Sequence, residues 1–181
     1  KTDRIRLCHR LDVQTGGLIL LTKDDAAYEA AREAFEQRTM EKFYTCRTKG
    51  CPAKREAVMH AYLRKDAQLS RVAVTDYPAR GALEIITGYR VLEPGEYARL
   101  EVELMTGRTH QIRVHFASRG FPVVGDPLYT RQKAPFQTDG QMLHAGRLEL
   151  AHPVTGEWMT FIAPLPAYFA DILRKLEARR R

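Results

Sequence analysis

The chain has 181 residues with 29 Lys+Arg against 22 Asp+Glu, a formal net charge of +7. Hydrophobic residues make up 44% and charged residues 28%, the balance of an ordinary globular domain able to bury a core. No apolar run approaches the ~18 residues of a membrane span, no secretory leader pattern is visible, and three cysteines (Cys8, Cys46, Cys51) are too few for a disulfide framework.

These features predict a single domain from a reducing, cytoplasmic compartment, taken as a monomer. The positive charge fits two partners equally well: bulk water around a basic surface, or a phosphate backbone. In chain order, a polar loop His9-Arg10-Leu11-Asp12 leads through Thr15-Gly16-Gly17 into the apolar run Leu18-Ile19-Leu20-Leu21, which reads as a short strand buried on both faces. Thr22-Lys23-Asp24 then caps a helix over 25–38, with Ala27, Ala31 and Phe35 toward the core.

Alternation over 42–49 predicts a strand with Phe43, Thr45 and Arg47 on one face and Tyr44, Cys46 and Thr48 on the other. Short strands are expected at 57–63 and 71–75. A strand over 82–92, broken near Gly88, should pair as a hairpin with 98–105, where Leu100, Val102 and Leu104 point inward. Thr109 is the expected N-cap of a helix over 110–118, with Ile112 and Phe116 one turn apart. A late hairpin, 143–151 with 158–163, turns at Pro153–Gly156, and a last helix runs from about 167 to the end. Hairpins with scattered helices imply an α+β fold: a mixed, largely antiparallel central sheet flanked by helices.

Two clusters carry possible chemistry. Asp12 beside Arg10 is either a surface ion pair, worth ~0–1 kcal/mol, or a carboxylate held ionised as a nucleophile or electrostatic stabiliser. Arg108 before the 110–118 helix and Arg113 within it are either phosphate contacts or two solvated charges on an amphipathic helix. His110 and His115 are five apart, the wrong spacing for two metal ligands on one helical face, so no metal is expected. Tyr44 reads from its position alone as a packing residue. Glycine-rich nucleotide loops and the GxSxG elbow are absent from the sequence.

The motifs together resemble those of the RluA-type RNA pseudouridine synthases. His9-Arg10-Leu11-Asp12-Val13-Gln14-Thr15-Gly16-Gly17 is similar to that family's HRLDxxTSG, with Gly16 where serine is usual. Lys42-Phe43-Tyr44 resembles its K-x-Y strand, and Gly107 to His115 resembles its GRTHQIRVH segment. Gly125-Asp126-Pro127-Leu128-Tyr129, Leu143-His144-Ala145 and His152-Pro153 resemble its later signatures, in family order.

The resemblance implies the pseudouridine synthase fold, N-terminally incomplete: one catalytic domain over 1–181 without the family's preceding segment. It implies isomerisation of specific uridines in structured rRNA or tRNA, without cofactor or metal. Asp12 would act at C1′ of a flipped nucleotide, Tyr44 would stack on the base and move a proton, and Arg113 would pair with Asp12. Arg10 would fill the vacated stack, Arg108 would touch phosphate, and Ile112 would wall the uracil. Two alternatives stand beside this: a non-catalytic RNA-binding or assembly factor, and a nucleoside or carbohydrate hydrolase using Asp12 with a second carboxylate such as Asp24, Asp25 or Asp126.

Overall fold

A computed structural model describes residues 5–66, 71–130, 138 and 140–178. Its elements are β1 (Arg6–Leu7), β2 (Gly16–Gly17), β3 (Leu21–Thr22), α1 (Asp25–Glu36), β4 (Glu41–Lys49), β5 (Glu56–Asp66), β6 (Arg71–Thr75), β7 (Leu83–Glu93), β8 (Tyr97–Leu104), α2 (Gln111–Ser118), β9 (Leu143–Ala151), β10 (Trp158–Ile162) and α3 (Ala167–Ala178). The main sheet runs β10-β9-β4-β8-β7-β5-β6, antiparallel throughout. β2 adds one parallel pair to β9, which makes the sheet mixed, as the sequence implies.

The alternating sequence of β8 explains its central place. Ala98, Leu100 and Val102 are fully buried, and Leu100 and Val102 form a core with Tyr44 and Cys46 of β4 and Ile112 and Phe116 of α2. Six consecutive α2 residues, Gln111 to Phe116, are buried, so this helix is a core element and not a surface one. α1 packs through Ala34 and Phe35 on Met40, Leu148 and Leu150, and α3 through Phe169, Ile172 and Leu176 on Val124 and Met142. The expected α1 face is observed: Ala31 is buried, Ala27 and Phe35 are half-buried, and Asp24 accepts the Ala27 N–H at 2.8 Å as the N-cap.

Three expectations are corrected. Leu18–Leu21 is not a strand buried on both faces: Leu18 and Leu20 pack on the α1 cluster, while Ile19 and Leu21 are 42% and 51% exposed. Its apolar run is a half-covered rim: Leu18 N–H bonds to the Ala145 carbonyl, Cys8 N–H to the Leu20 carbonyl and Leu20 N–H to His9 Nε2, and Leu21 pairs with Leu7 of β1. β7 does not break at Gly88, which pairs with both Val58 and Glu103; its irregularity falls between Val91 and Glu93. Thr109 does not cap α2. His110 is the N-cap residue, in a left-handed conformation (φ 55°) without a side-chain cap bond, and the Gln111 side chain accepts the Arg108 N–H at 3.0 Å instead. The expected extension of α3 through Arg181 lies partly outside the described residues.

Candidate active site

The two polar clusters, about a hundred residues apart in sequence, meet at one cleft of about 340 Å³. Arg10, Leu11, Asp12 and Thr15 come from the loop before β2; Lys42 and Tyr44 from β4; and Arg108, His110 and Ile112 from the turn into α2. The loop is pinned at its base. Thr15 N–H bonds to the Asp12 carbonyl at 2.9 Å, Gln141 donates to the Thr15 hydroxyl at 2.6 Å, and the loop then enters the β2–β9 pair. Gly17 (φ 119°) permits that pairing, since a Cβ there would lie 2.2 Å from the Ala145 carbonyl oxygen.

Asp12 is one-fifth exposed and sits with one oxygen 3.3 Å from Nη1 of Arg113. The sequence left Arg10 as its local partner, but Arg10 points to solvent at the cleft mouth and no ion pair joins the two. Arg113 lies behind the cleft, its side chain 4% exposed. Its remaining edge is a two-bond fork to the fully buried Asp126, Nε to Oδ2 at 2.8 Å and Nη2 to Oδ1 at 2.9 Å. Burial alone would lower the Arg113 pKa, but the hydrogen bonds and charge of Asp126, then those of Asp12, outweigh it and hold it above its ordinary value.

Asp126 is a residue whose role sequence reasoning missed. It was visible only as part of the Gly125–Tyr129 signature and as a spare carboxylate. It also accepts the N–H groups of Leu128 (2.8 Å) and Tyr129 (3.2 Å), so the turn that presents Tyr129 is built on the same carboxylate. The Tyr129 ring faces the Arg113 guanidinium at 5.4 Å, and its hydroxyl lies 2.8 Å from His110 Nδ1. A hydrolase needs a second carboxyl acid in the cleft. Asp126 is committed to Arg113, Asp24 caps α1, and Asp25 pairs with Arg6 at 2.9 Å.

Tyr44 is 8% exposed and lines the cleft with Ile112 and Leu143, which give it an apolar wall. Burial, and then the charge of Asp12, push its phenol up to about 12, so it stays protonated across the neutral range. His110 is held below its usual value by burial, which outweighs the opposing pull of Asp12. His110 and His115 do not converge: His115 is buried with Nδ1 3.0 Å from the Thr87 hydroxyl. Arg108 and Arg10 are both exposed at the rim, and Ile112 is 4% exposed. Among the described residues, the cleft thus offers one carboxylate, a phenol, an apolar slot and a cationic mouth.

The family model described as RNA pseudouridylate synthase matches residues 1–118. An uncharacterized RNA pseudouridine synthase of Chloroflexus aurantiacus is 39% identical over 176 residues, covering 96% of this chain and 54% of that protein. The ribosomal large subunit pseudouridine synthase D of Nitrosomonas europaea is 38% identical, covering 97% and 52%. The structure of human RNA pseudouridylate synthase domain containing 4 superposes with a TM-score of 0.80 at 25% identity, covering 97% of this chain and 77% of that one. The chain spans about half the length of the curated relatives it matches. Among the described residues, no helix is long and apolar enough to cross a membrane.

Proposed function

Since the chain belongs to the RNA pseudouridylate synthase family, we propose that it is the catalytic domain of an enzyme that isomerises specific uridines to pseudouridine in structured ribosomal or transfer RNA, acting as a cytoplasmic monomer. The observation that carries this reading is the ordered line Asp12–Arg113–Asp126, which ends on a single accessible carboxylate in an apolar slot.

The chemistry follows from that line. The N1–C1′ bond of uridine breaks, the detached uracil turns, and C5 bonds to C1′. A proton leaves C5 and one is taken up at N1, so mass is unchanged and no electron, phosphoryl group or metal takes part. As N1–C1′ lengthens, C1′ gains positive character, and the Asp12 carboxylate stabilises it. Arg113 fixes the rotamer of Asp12, while its own fork on Asp126 prevents it from turning into the cleft. Tyr44, a neutral phenol, stacks on the freed base and serves the proton movement, with Ile112 as the opposite wall. A base inside a helical stack cannot reach Asp12, so the nucleotide is extruded, and Arg10 at the mouth takes its place. The +7 charge and Arg108 favour the phosphate backbone.

The test is Asp12→Asn in the full-length protein. Pseudouridine, read as carbodiimide-dependent reverse-transcription stops in total RNA, should vanish, while RNA affinity stays within a few fold. Full activity of the variant would overturn the role of Asp12. A wild-type protein that binds RNA but leaves no stop anywhere would mark a binding factor, and release of free uracil would mark a hydrolase.

A further inference from the structure

Beside the catalytic cleft lies a second cavity, of whose lining the reaction above uses only Arg108. It is a notch of about 370 Å³ between the end of α1, the start of β4 and the turn after β8, and it shares Phe35, Lys42, Gly107 and Arg108 with the cleft. Three cations line it: Arg38, Lys42 and Arg108. Lys42 is half-buried, with its ammonium 5.1 Å from the centre of the Phe35 ring. None of the three cations has a carboxylate within ion-pair distance among the described residues, although other surface arginines do. One carboxylate, Glu36, also lines the notch, and it is taken by Arg32 at 2.9 Å. Arg38 sits in a left-handed conformation (φ 58°) that turns the chain from α1 into β4 and brings it to the same opening as Lys42. Gly107 offers only backbone there: a Cβ would stand 3.9 Å from Lys42 Nζ.

A cation withdrawn from water without a counter-ion is unfavourable, and the usual resolutions are a partner or loss of the proton. Burial, and then the charge of Arg38, do lower the Lys42 pKa. A phosphodiester resolves the same conflict by supplying the missing anion. The notch also lies where such a group would arrive, since a strand whose nucleotide enters the cleft must carry its neighbouring phosphates over the adjoining rim. Building on the isomerase reading, we propose that this notch is a phosphate subsite that grips the RNA backbone next to the flipped uridine, with Lys42 at its centre and Arg38 and Arg108 at its edges.

The experiment measures RNA binding and turnover by the full-length protein against salt, for wild type, Arg38→Gln and Lys42→Met. Arg38 is exposed and outside the core, so its variant should fold; Lys42→Met keeps the aliphatic stem, and Lys42→Arg is the rescue. Each charge-removing substitution should weaken RNA binding at low salt about three- to tenfold and flatten the slope of log affinity against log salt by about 0.7–0.9. Arg38→Gln should keep kcat at saturating RNA within twofold, and Lys42→Arg should restore the slope. Unchanged slopes in a folded Arg38→Gln and a folded Lys42→Met overturn the subsite. If Lys42→Met does not fold, an unchanged slope in Arg38→Gln overturns it alone. Inorganic phosphate, titrated at constant ionic strength, separates the other source: protection of Lys42 from acylation by phosphate, with RNA slopes unmoved, means a free-anion site and overturns the proposal. Because the slope is a binding measurement, an inactive wild type sinks the isomerase reading without deciding the notch, and an active wild type with unmoved slopes does the reverse.

Discussion

Arg113 holds two carboxylates at once, and their loss should cost stability very unequally. Asp126 is fully buried, receives two short hydrogen bonds from the guanidinium and also accepts two backbone amides. Asp126→Ala therefore leaves a guanidinium, only 4% exposed, with a single bond of 3.3 Å to Asp12. Breaking one side of a buried pair costs about 3–5 kcal/mol, a large share of a domain stability of about 5–15 kcal/mol. With a urea m-value of about 2 kcal/mol/M, the midpoint should fall by about 2 M. Asp12→Asn removes charge from a partly exposed group, and its amide oxygen can still accept from Nη1, so its stability should stay within about 1 kcal/mol of wild type. Turnover should fall in both, by about 100-fold or more in Asp126→Ala, because Arg113 is no longer fixed behind Asp12. Urea unfolding followed by tryptophan fluorescence (Trp158) or circular dichroism, paired with single-turnover assays, reads both quantities. Equal stability losses in the two variants, or an Asp126→Ala protein as stable as wild type, would refute the division of labour.

Three further outcomes are expected. Gly16 stands where the related motif carries serine; its Cβ position is 3.6 Å from His144 Nδ1, a buried nitrogen without a protein partner, so Gly16→Ser should add about 0.5–1.5 kcal/mol in urea unfolding. Gly16→Ala should not, and an equal gain there would mean packing and not the new hydrogen bond. Gly17→Ala should lower the melting temperature and cripple turnover together, because its Cβ would collide with the Ala145 carbonyl and displace the loop carrying Asp12; a normal melting curve would contradict the parallel β2–β9 pairing. Burial, then the charge of Arg119, lowers the His115 pKa to about 4 from an ordinary 6.5. The unfolded chain therefore binds the extra proton first, so the stability tied to neutral His115 is intact above about pH 6.5 and lost as pH falls toward 4. His115→Gln should flatten this part of the stability–pH curve, and an unchanged curve would count against the buried neutral imidazole.

Much of this molecule is legible in local sequence. Alternation in β4 and β8 reports their buried faces because a strand's side chains change sides at every residue, and Asp24 reports the start of α1 because a short side chain there meets free amides. Polar clusters pointed to Asp12 and Arg113 as candidates, and the family motifs added Tyr44 to them. Local sequence could not show which acid shares Arg113, because Asp126 reaches it across a turn and through packing of α2 that no periodicity encodes. It misjudged Thr109 because Gln111 folds back to accept the Arg108 amide in its place, and it misjudged Leu18–Leu21 because apolar character does not say how many faces will be covered. The same limit hid the cations beside the cleft: charge is written in the chain, but which cations lack a carboxylate partner among the described residues is decided only once α1, β4 and the turn after β8 have come together.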